Sequence, residues 1–473
     1  MQQFSAKELA TLINSRLIGD PEQLVGADVV IDSRKVTPGC LFVAIVGENF
    51  DGHDFVSQAV ASGAAAVMVD RELEITAPQL IVTDTVAGLS ELAKGIVAKA
   101  RAESGLISLG ITGSSGKTST KDLLSQILTA AGNTVSPPGS LNNEIGVPIT
   151  CCRVDHDTDY LINEMGARGI GHISWLTSIV PPDIALVLNV GVAHLGEFGG
   201  VEQITKAKGE LVEAVPEDGW AILNADDTQV AKMATITKAK IGWFAVDKQP
   251  EISAELVATA EDIELDRLAR PSFTLRMQFG GEVSSYPISL QLSGRHQVAN
   301  AAAAAAAALA AGVAPEKIAV SLNRAKAQSV WRMAITQRSD GSIIINDAYN
   351  ANPESMAVAV QSLHHMVAEQ QKKYPKAKGI AVLGDMLELG EESAKWHHKI
   401  GASLRIDEVF AIGEYAEDII AGARSSGIDG KICEHKDILS LLQVQPGDVV
   451  LLKASRGIGL EAIAGQLVEG VEL

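Results

Sequence analysis

One stretch constrains what this chain can fold into more than any other: Ile-Ser-Leu-Gly-Ile-Thr-Gly-Ser-Ser-Gly-Lys-Thr-Ser-Thr-Lys, residues 107–121. A short apolar run breaks into a glycine-rich turn, and a lysine and a hydroxyl then open a helix. This is the grammar of a nucleotide-phosphate site at the carboxyl end of a parallel strand. Gly113 and Gly116 permit turns that a side chain would forbid, so the N–H groups of Gly113, Ser114, Ser115, Gly116 and the first helical residues, to Ser119, can point at phosphate oxygens. Lys117 is placed to reach the β- and γ-phosphates, and the Thr118 hydroxyl to face Mg²⁺. The spacing varies the common pattern, because Ile111 stands five residues before Gly116 and the glycine falls one earlier, at Gly110. The helix that follows shows Leu124, Ile127, Leu128 and Ala131 on one face, with Gly132 in the C-cap position.

At 473 residues the chain exceeds one core, and a prior of roughly 150 residues per domain predicts three. The longest apolar tract, 301–311, is alanine-rich and too short to span a bilayer, so it reads as buried helix. The amino terminus carries Ser5 and Glu8 in capping-box spacing where a signal peptide would carry a basic and then an apolar region, which predicts a cytoplasmic protein without membrane insertion. A net charge of −19 opposes nucleic acid as a partner. Cys40, Cys151, Cys152 and Cys433 form no C-x-x-C pair and read as reduced core residues. The histidine pairs 364/365 and 397/398 lie in polar helical sequence and read as solvated surface.

Periodicity divides the chain into three α/β units: 1–84, 85–326 and 327–473. The first has a capped helix, strands near 29–32, 41–44 and 66–69, and a helix over 55–62. The second alternates apolar strands such as 160–162 and 184–190 with helices, the pattern of a parallel sheet. Residues 246–290 fit an inserted hairpin or small sheet. The third repeats the alternation with strands at 342–345, 379–383, 408–411 and 449–453 and helices over 355–370 and 393–406.

Glu164 ends the strand beginning Tyr160, where a carboxylate can hold Mg²⁺ beside the phosphates. The next strand ends in Asn189-Val-Gly-Val-Ala-His194, which aims a histidine at the same rim and makes it a candidate for metal or substrate. Lys206 and Lys208 begin a helix beyond it, and composition alone makes them solvated charges.

Five segments taken together resemble the Mur ligases, the ATP-dependent amide-forming enzymes of peptidoglycan precursor synthesis. They are Gly-Ile-Thr-Gly-Ser-Ser-Gly-Lys-Thr, Asn-Glu164-Met-Gly-Ala, Asn-Val-Gly-x-Ala-His194-Leu, Ala-Lys208-Gly-Glu and Ser-Gly-Arg-His296-Gln-Val-Ala-Asn300-Ala-Ala. Their order and spacing cover essentially the whole chain. Within the family, Asn142-Asn143-Glu-Ile-Gly-Val-Pro, Asn346-Asp347-Ala-Tyr349-Asn350-Ala-Asn352-Pro-Glu-Ser-Met and Leu-Gly-Asp385-Met-Leu-Glu-Leu-Gly resemble the member that adds D-alanyl-D-alanine to UDP-N-acetylmuramoyl-tripeptide. The Asp-Asn-Pro-Arg motif of the diaminopimelate-adding relative is missing.

The resemblance implies three domains: a small N-terminal α/β domain for the UDP-muramoyl substrate, a central P-loop parallel-sheet ATPase domain and a C-terminal Rossmann-like α/β domain. It implies ATP and two Mg²⁺, one on Thr118 and Glu164, the other on His194 with a carbamate formed on Lys208. It makes Lys117, Lys208 and His194 the catalytic set, puts Asn300 and His296 at adenine, and brings Asp347 and Arg332 to ribose and phosphate. It assigns Ser33 and Arg34 to the UDP end, and Asn142, Asn143, Tyr349, Asn350 and Asn352 to the substrate. A monomer is expected, closing when Arg332 and Asp347 swing toward Lys117 about a linker near 326. The rivals are a sister Mur ligase, a folylpolyglutamate synthetase, or a nucleotide-driven switch that releases no stoichiometric phosphate.

Overall fold

The computed structural model describes residues 2–26, 28–191, 200–247 and 254–469, with the side chain of residue 469 left aside. Three larger sheets follow one another along the chain. The first has five strands in the order Arg16–Ile18, Gln79–Ile81, Ala66–Val69, Leu41–Val43, Val29–Val30, parallel except for its first pair. The strands Arg16–Ile18 and Gln79–Ile81 lack a clear alternation and are additions to the sequence reading. The Ser5 capping box is present and opens the helix Ala6–Leu12.

The second sheet positions the site. Its nine strands run in the order Glu282–Ser289, Pro271–Phe279, Leu256–Leu265, Lys240–Ala245, Trp220–Asn224, Ile184–Val187, Ile107–Thr112, Tyr160–Glu164, Thr134–Val135. From Leu256–Leu265 onward all pairs are parallel, and the last two strands of the 256–289 segment pair antiparallel. The irregular segment therefore extends the central sheet at one edge and is not a separate small sheet. The alanine-rich tract is the helix Gln297–Ala310, with Ala301 to Ala308 fully buried against the helix Lys117–Thr129 and the sheet. Small side chains let the two helices and the sheet approach closely.

The third sheet has six strands in the order Ala334–Gln337, Ile343–Asn346, Val449–Lys453, Gly379–Leu383, Glu408–Ala411, Gly430–Ile432, parallel except for the first pair. The chain is thus α/β throughout, as its patterning implied. No helix among the described residues is long and apolar enough to cross a membrane.

Three expectations need correction. The phosphate-loop helix ends at Thr129, and Gly132 satisfies the Leu128 carbonyl at 2.8 Å without taking a left-handed conformation. His397 is fully buried: its Nδ1 donates to the Ser393 carbonyl at 2.7 Å, its Nε2 accepts the Met386 N–H at 2.8 Å, and its ring stacks on Tyr415. His364 and His365 are half-buried and bonded to Arg405 N–H and the Asp266 carbonyl, so of the four only His398 is solvated. Cys40, Cys151 and Cys152 are buried thiols, and burial pushes Cys151 up to about 12, which keeps it protonated and inert.

Candidate active site

The strands Ile107–Thr112, Tyr160–Glu164 and Ile184–Val187 lie side by side, and their carboxyl ends open on a cavity of about 780 Å³. The chain turns sharply at Gly116, which has φ +81° and leaves no room for a side chain, since a Cβ would stand 2.8 Å from Asn300 Oδ1. Gly113 answers to space alone, because a Cβ there would meet Leu188 Cβ at 2.9 Å.

The loop is held from behind. Asn189 Oδ1 accepts the N–H groups of both Ser114 and Ser115 at 2.9 Å, and the Ser114 hydroxyl accepts the Gly191 N–H. Those two N–H groups serve Asn189 and are not turned toward a ligand, contrary to the sequence expectation. The donors left for an anion are those of the helix start, which lack intrahelical acceptors by construction. Asn300, buried, accepts from Thr120 at 3.2 Å and donates to Gln297 at 2.9 Å, so its amide props the loop as well as lining the cavity.

Lys117 Nζ donates to the Gly113 carbonyl at 2.6 Å. Desolvation pushes its pKa down, Glu164 opposes the shift and Arg332 adds to it. The Thr118 hydroxyl donates to Glu164 Oε2 at 2.8 Å, and Asn142 Nδ2 donates to the other oxygen, Oε1, at 2.8 Å. Glu164 is 1% exposed, which makes its two hydrogen bonds a requirement of burial.

Lys206 and Lys208 separate clearly on the helix Val201–Glu213: Lys206 is exposed and Lys208 is buried at the cavity wall. Desolvation, joined by the charge of Lys117, drives the Lys208 pKa well below its ordinary value, with Glu354 pulling the other way. His194 lies outside the described residues.

The third sheet contributes the opposite wall. Arg332 Nη2 donates to Thr118 Oγ1 at 3.0 Å, and its guanidinium lies 4.2 Å from the Tyr349 ring. The Tyr349 hydroxyl pairs with Ser140 at 3.0 Å, and Asn352 Nδ2 reaches the Ser114 carbonyl at 3.5 Å. Asp347 is fully engaged, accepting Met333 N–H at 2.9 Å and pairing with buried Lys453 at 2.6 Å. His296 lines the same end, and burial lowers its pKa to about 4. The two halves are thus in contact here, the arrangement that the sequence reading expected a swing about the linker near 326 to produce.

Two substrate candidates double as helix caps: Asn143 Oδ1 accepts the Gly146 N–H, and Asn352 Oδ1 the Ser355 N–H. Asn142, Asn143, Tyr349, Asn350 and Asn352 all line the cavity, as does Ser119. Ser33 and Arg34 do not. Arg34 is exposed and paired with Asp32, and Ser33 bonds Gln58. The sequence reading passed over Arg168, His172 and Trp175 on the wall and Glu354 beside Lys208. Only the Met-Gly-Ala turn ahead of Arg168 hinted at them.

Comparison with known proteins agrees with this arrangement. Residues 27–103 match the model of the Mur ligase family catalytic domain, 111–308 the Mur ligase middle domain and 331–456 the Mur ligase, glutamate ligase domain. The chain is 41% identical to the UDP-N-acetylmuramoyl-tripeptide–D-alanyl-D-alanine ligase of Mycobacterium bovis, over 94% of this chain and 92% of that one. A crystal structure of MurF from Acinetobacter baumannii superposes with a TM-score of 0.83 at 31% identity, covering 99% of each chain. MurF ligase from Thermotoga maritima, solved in complex with ADP, gives a TM-score of 0.75 at 28% identity over 94% of this chain and 98% of that one.

Proposed function

The chain belongs to the Mur ligase family, and we propose that it joins D-alanyl-D-alanine to the free carboxylate of UDP-N-acetylmuramoyl-tripeptide, driven by ATP. The products are the muramoyl pentapeptide nucleotide, ADP and phosphate. One observation carries the chemistry: the Thr118 hydroxyl, at the start of the phosphate-loop helix, meets both Glu164 and Arg332 in a single cavity. The 41% likeness to a ligase of that name supports the choice of substrates.

An amide does not form from a carboxylate at neutral pH unless the departing oxygen is activated. The tripeptide carboxylate attacks the γ-phosphorus, the bond to the β,γ-bridging oxygen breaks and ADP departs. The neutral amine of the dipeptide then attacks the acyl carbon, and the tetrahedral intermediate expels phosphate as the nitrogen loses a proton. Lys117 and Arg332 offset the charge crowded between two anions, the term that dominates phosphoryl transfer. No nucleophilic side chain is required.

Thr118 and Glu164 offer hard oxygen donors 2.8 Å apart, and Asn142 orients the carboxylate. Among the described residues no group of three or more His, Cys, Asp or Glu could hold a metal, so an ion here would complete its shell with phosphate oxygens and water, the habit of Mg²⁺. Bound there, Mg²⁺ would neutralise phosphate charge. Lys208, held toward its neutral amine, suits reaction with CO₂ to give a carbamate, which with His194 would serve a second Mg²⁺. Asn300 and His296 take the adenine end, with Asp347 beside the ribose. Ser33 and Arg34, outside the cavity, suit the remote UDP end of a long substrate. A monomer acting in the cytoplasm, where ATP is at hand, completes the reading.

The test is phosphate release with each muramoyl precursor against a panel of amines. Release is expected only when the tripeptide precursor and D-alanyl-D-alanine are both present. Release with an earlier precursor and a single amino acid, or with a folate and glutamate, would overturn the assignment in favour of a relative, and ATP binding without release would indicate a switch.

A further inference from the structure

The turn between the strand Tyr160–Glu164 and the helix His172–Ile179 forms one wall of the cavity, through Ala167, Arg168 and His172, with Trp175 one turn further on. It is pinned at both ends. At its start the Gly166 N–H donates to the Asn142 carbonyl at 2.8 Å, so close that a Cβ at 166 would press on Asn142 at 3.2 Å. At its end the Glu210 carboxylate accepts two N–H groups, Gly171 on Oε1 at 2.5 Å and Ser174 on Oε2 at 2.9 Å.

Glu210 is 6% exposed and makes no ion pair with any described residue, so these two bonds must offset its desolvation. Capping the helix alone would need only a local serine, aspartate or asparagine at its amino end. That position is Gly171, and the cap comes from another helix instead. The other helix is Val201–Glu213, which carries Lys208. Two residues apart on a helix means about 200° of rotation, so one rigid rod shows Lys208 to the cavity and Glu210 to the wall.

We propose that Glu210 is a positioning residue that holds the 167–172 wall in register with Lys208, and so sets where the reacting carboxylate of the nucleotide-sugar peptide sits relative to the phosphate. The inference rests on the reading that this cavity takes the muramoyl peptide. Asn142 pins the other end of the wall and also orients Glu164, so both ties run to residues beside the candidate phosphate and metal groups. The wall cannot shift without pulling on one of them.

The experiment is steady-state kinetics on Glu210→Ala and Glu210→Gln, with amide hydrogen exchange across residues 166–176. Loss of two charge-assisted bonds should raise KM for UDP-N-acetylmuramoyl-tripeptide about tenfold or more in Glu210→Ala, while KM for ATP stays within about twofold. Glu210→Gln keeps one acceptor oxygen and should fall between, and exchange should quicken in the same order. A merely structural role would lower the active fraction and leave both KM values as in wild type, which overturns the proposal even if exchange quickens. If Glu210→Ala does not fold, the same KM split in Glu210→Gln decides. Wild-type enzyme that releases no phosphate with tripeptide and dipeptide would instead sink the substrate assignment, a result readily told apart from an active wild type with unchanged variants.

Discussion

Arg332 donates to the Thr118 hydroxyl at 3.0 Å across the junction between the second and third sheets. The same hydroxyl gives its proton to Glu164, so one threonine joins a carboxylate of its own sheet to a cation of the next. The linker before Arg332 is fastened to the same helix: Ser329 Oγ donates to Asp122 at 2.6 Å, and Lys326 exchanges two backbone bonds with the Gln126 amide. Trp331 and Met333, on either side of Arg332, both have positive φ, +58° and +47°. Non-glycine residues hold that conformation only where their surroundings enforce it, and such strain gathers at functional sites.

Arg332→Ala should therefore lower kcat/KM by about ten- to a hundredfold, the worth of a hydrogen bond to a charged group. Arg332→Lys should recover little, because a lysine cannot both stack flat on Tyr349 and reach Thr118. Initial-rate assays at varied ATP check both variants; a fully active Arg332→Lys would mean that a point charge suffices.

Lys117→Ala should cost ~3 kcal/mol or more of transition-state stabilisation, since on the proposed reading it removes a charge that meets the transferring phosphoryl group. The fold should survive, because among the described residues the hydrogen bond that the Lys117 side chain makes runs to its own loop at Gly113. Circular dichroism and phosphate release together test this, and near-normal turnover would contradict the phosphate-loop assignment.

The phosphate loop, its flanking strand and helix, Glu164 and the buried alanine helix were legible because each is a local pattern: a glycine spacing, a period, a composition. What could not be read were relationships made by folding at a distance. Asn189 lies 74 residues from the Ser115 N–H it accepts, and nothing local marks an asparagine that props a loop against one that binds a ligand. The buried His397 escaped for a related reason, since its partners are a backbone N–H and a carbonyl that carry no sequence signal. Lys206 and Lys208 look alike in composition, and only the packing of their helix separates the exposed one from the buried one. The motif resemblance, and no property of the residues alone, singled out Lys208.

Stability should fall on mild acidification. Burial lowers the pKa of His296 to about 4, and also lowers His364 and His397, from an ordinary 6.5. Below that value the unfolded chain takes up protons that the folded protein refuses, so the contribution is intact above about pH 6.5 and is lost progressively toward pH 4. Asp32, held down to about 2 chiefly by the Arg34 side chain, acts only at lower pH. Urea midpoints should be lower at pH 5 than at pH 7.5, and His296→Gln should flatten the difference. Equal midpoints in the wild type would show that these rings accept protons without unfolding.

Lys208 gives the most discriminating test of the site. It is buried, its pKa is driven well down by desolvation and by Lys117, and an ammonium there would repel a divalent cation held at Thr118 and Glu164. A neutral amine is the form that adds CO₂, and the resulting carbamate converts the same side chain from a cation into an oxygen donor suited to Mg²⁺. Lys208→Ala should accordingly be nearly inactive, and acetate or formate should partly restore activity by filling the vacated position. Were Lys208 only a structural helix residue, alanine would be expected to leave turnover alone and to change stability modestly, the usual outcome away from special features. Rescue assays at increasing formate separate three outcomes. Carboxylate-dependent recovery supports the carbamate, inactivity without recovery supports a role for the unmodified amine, and full activity removes Lys208 from the mechanism.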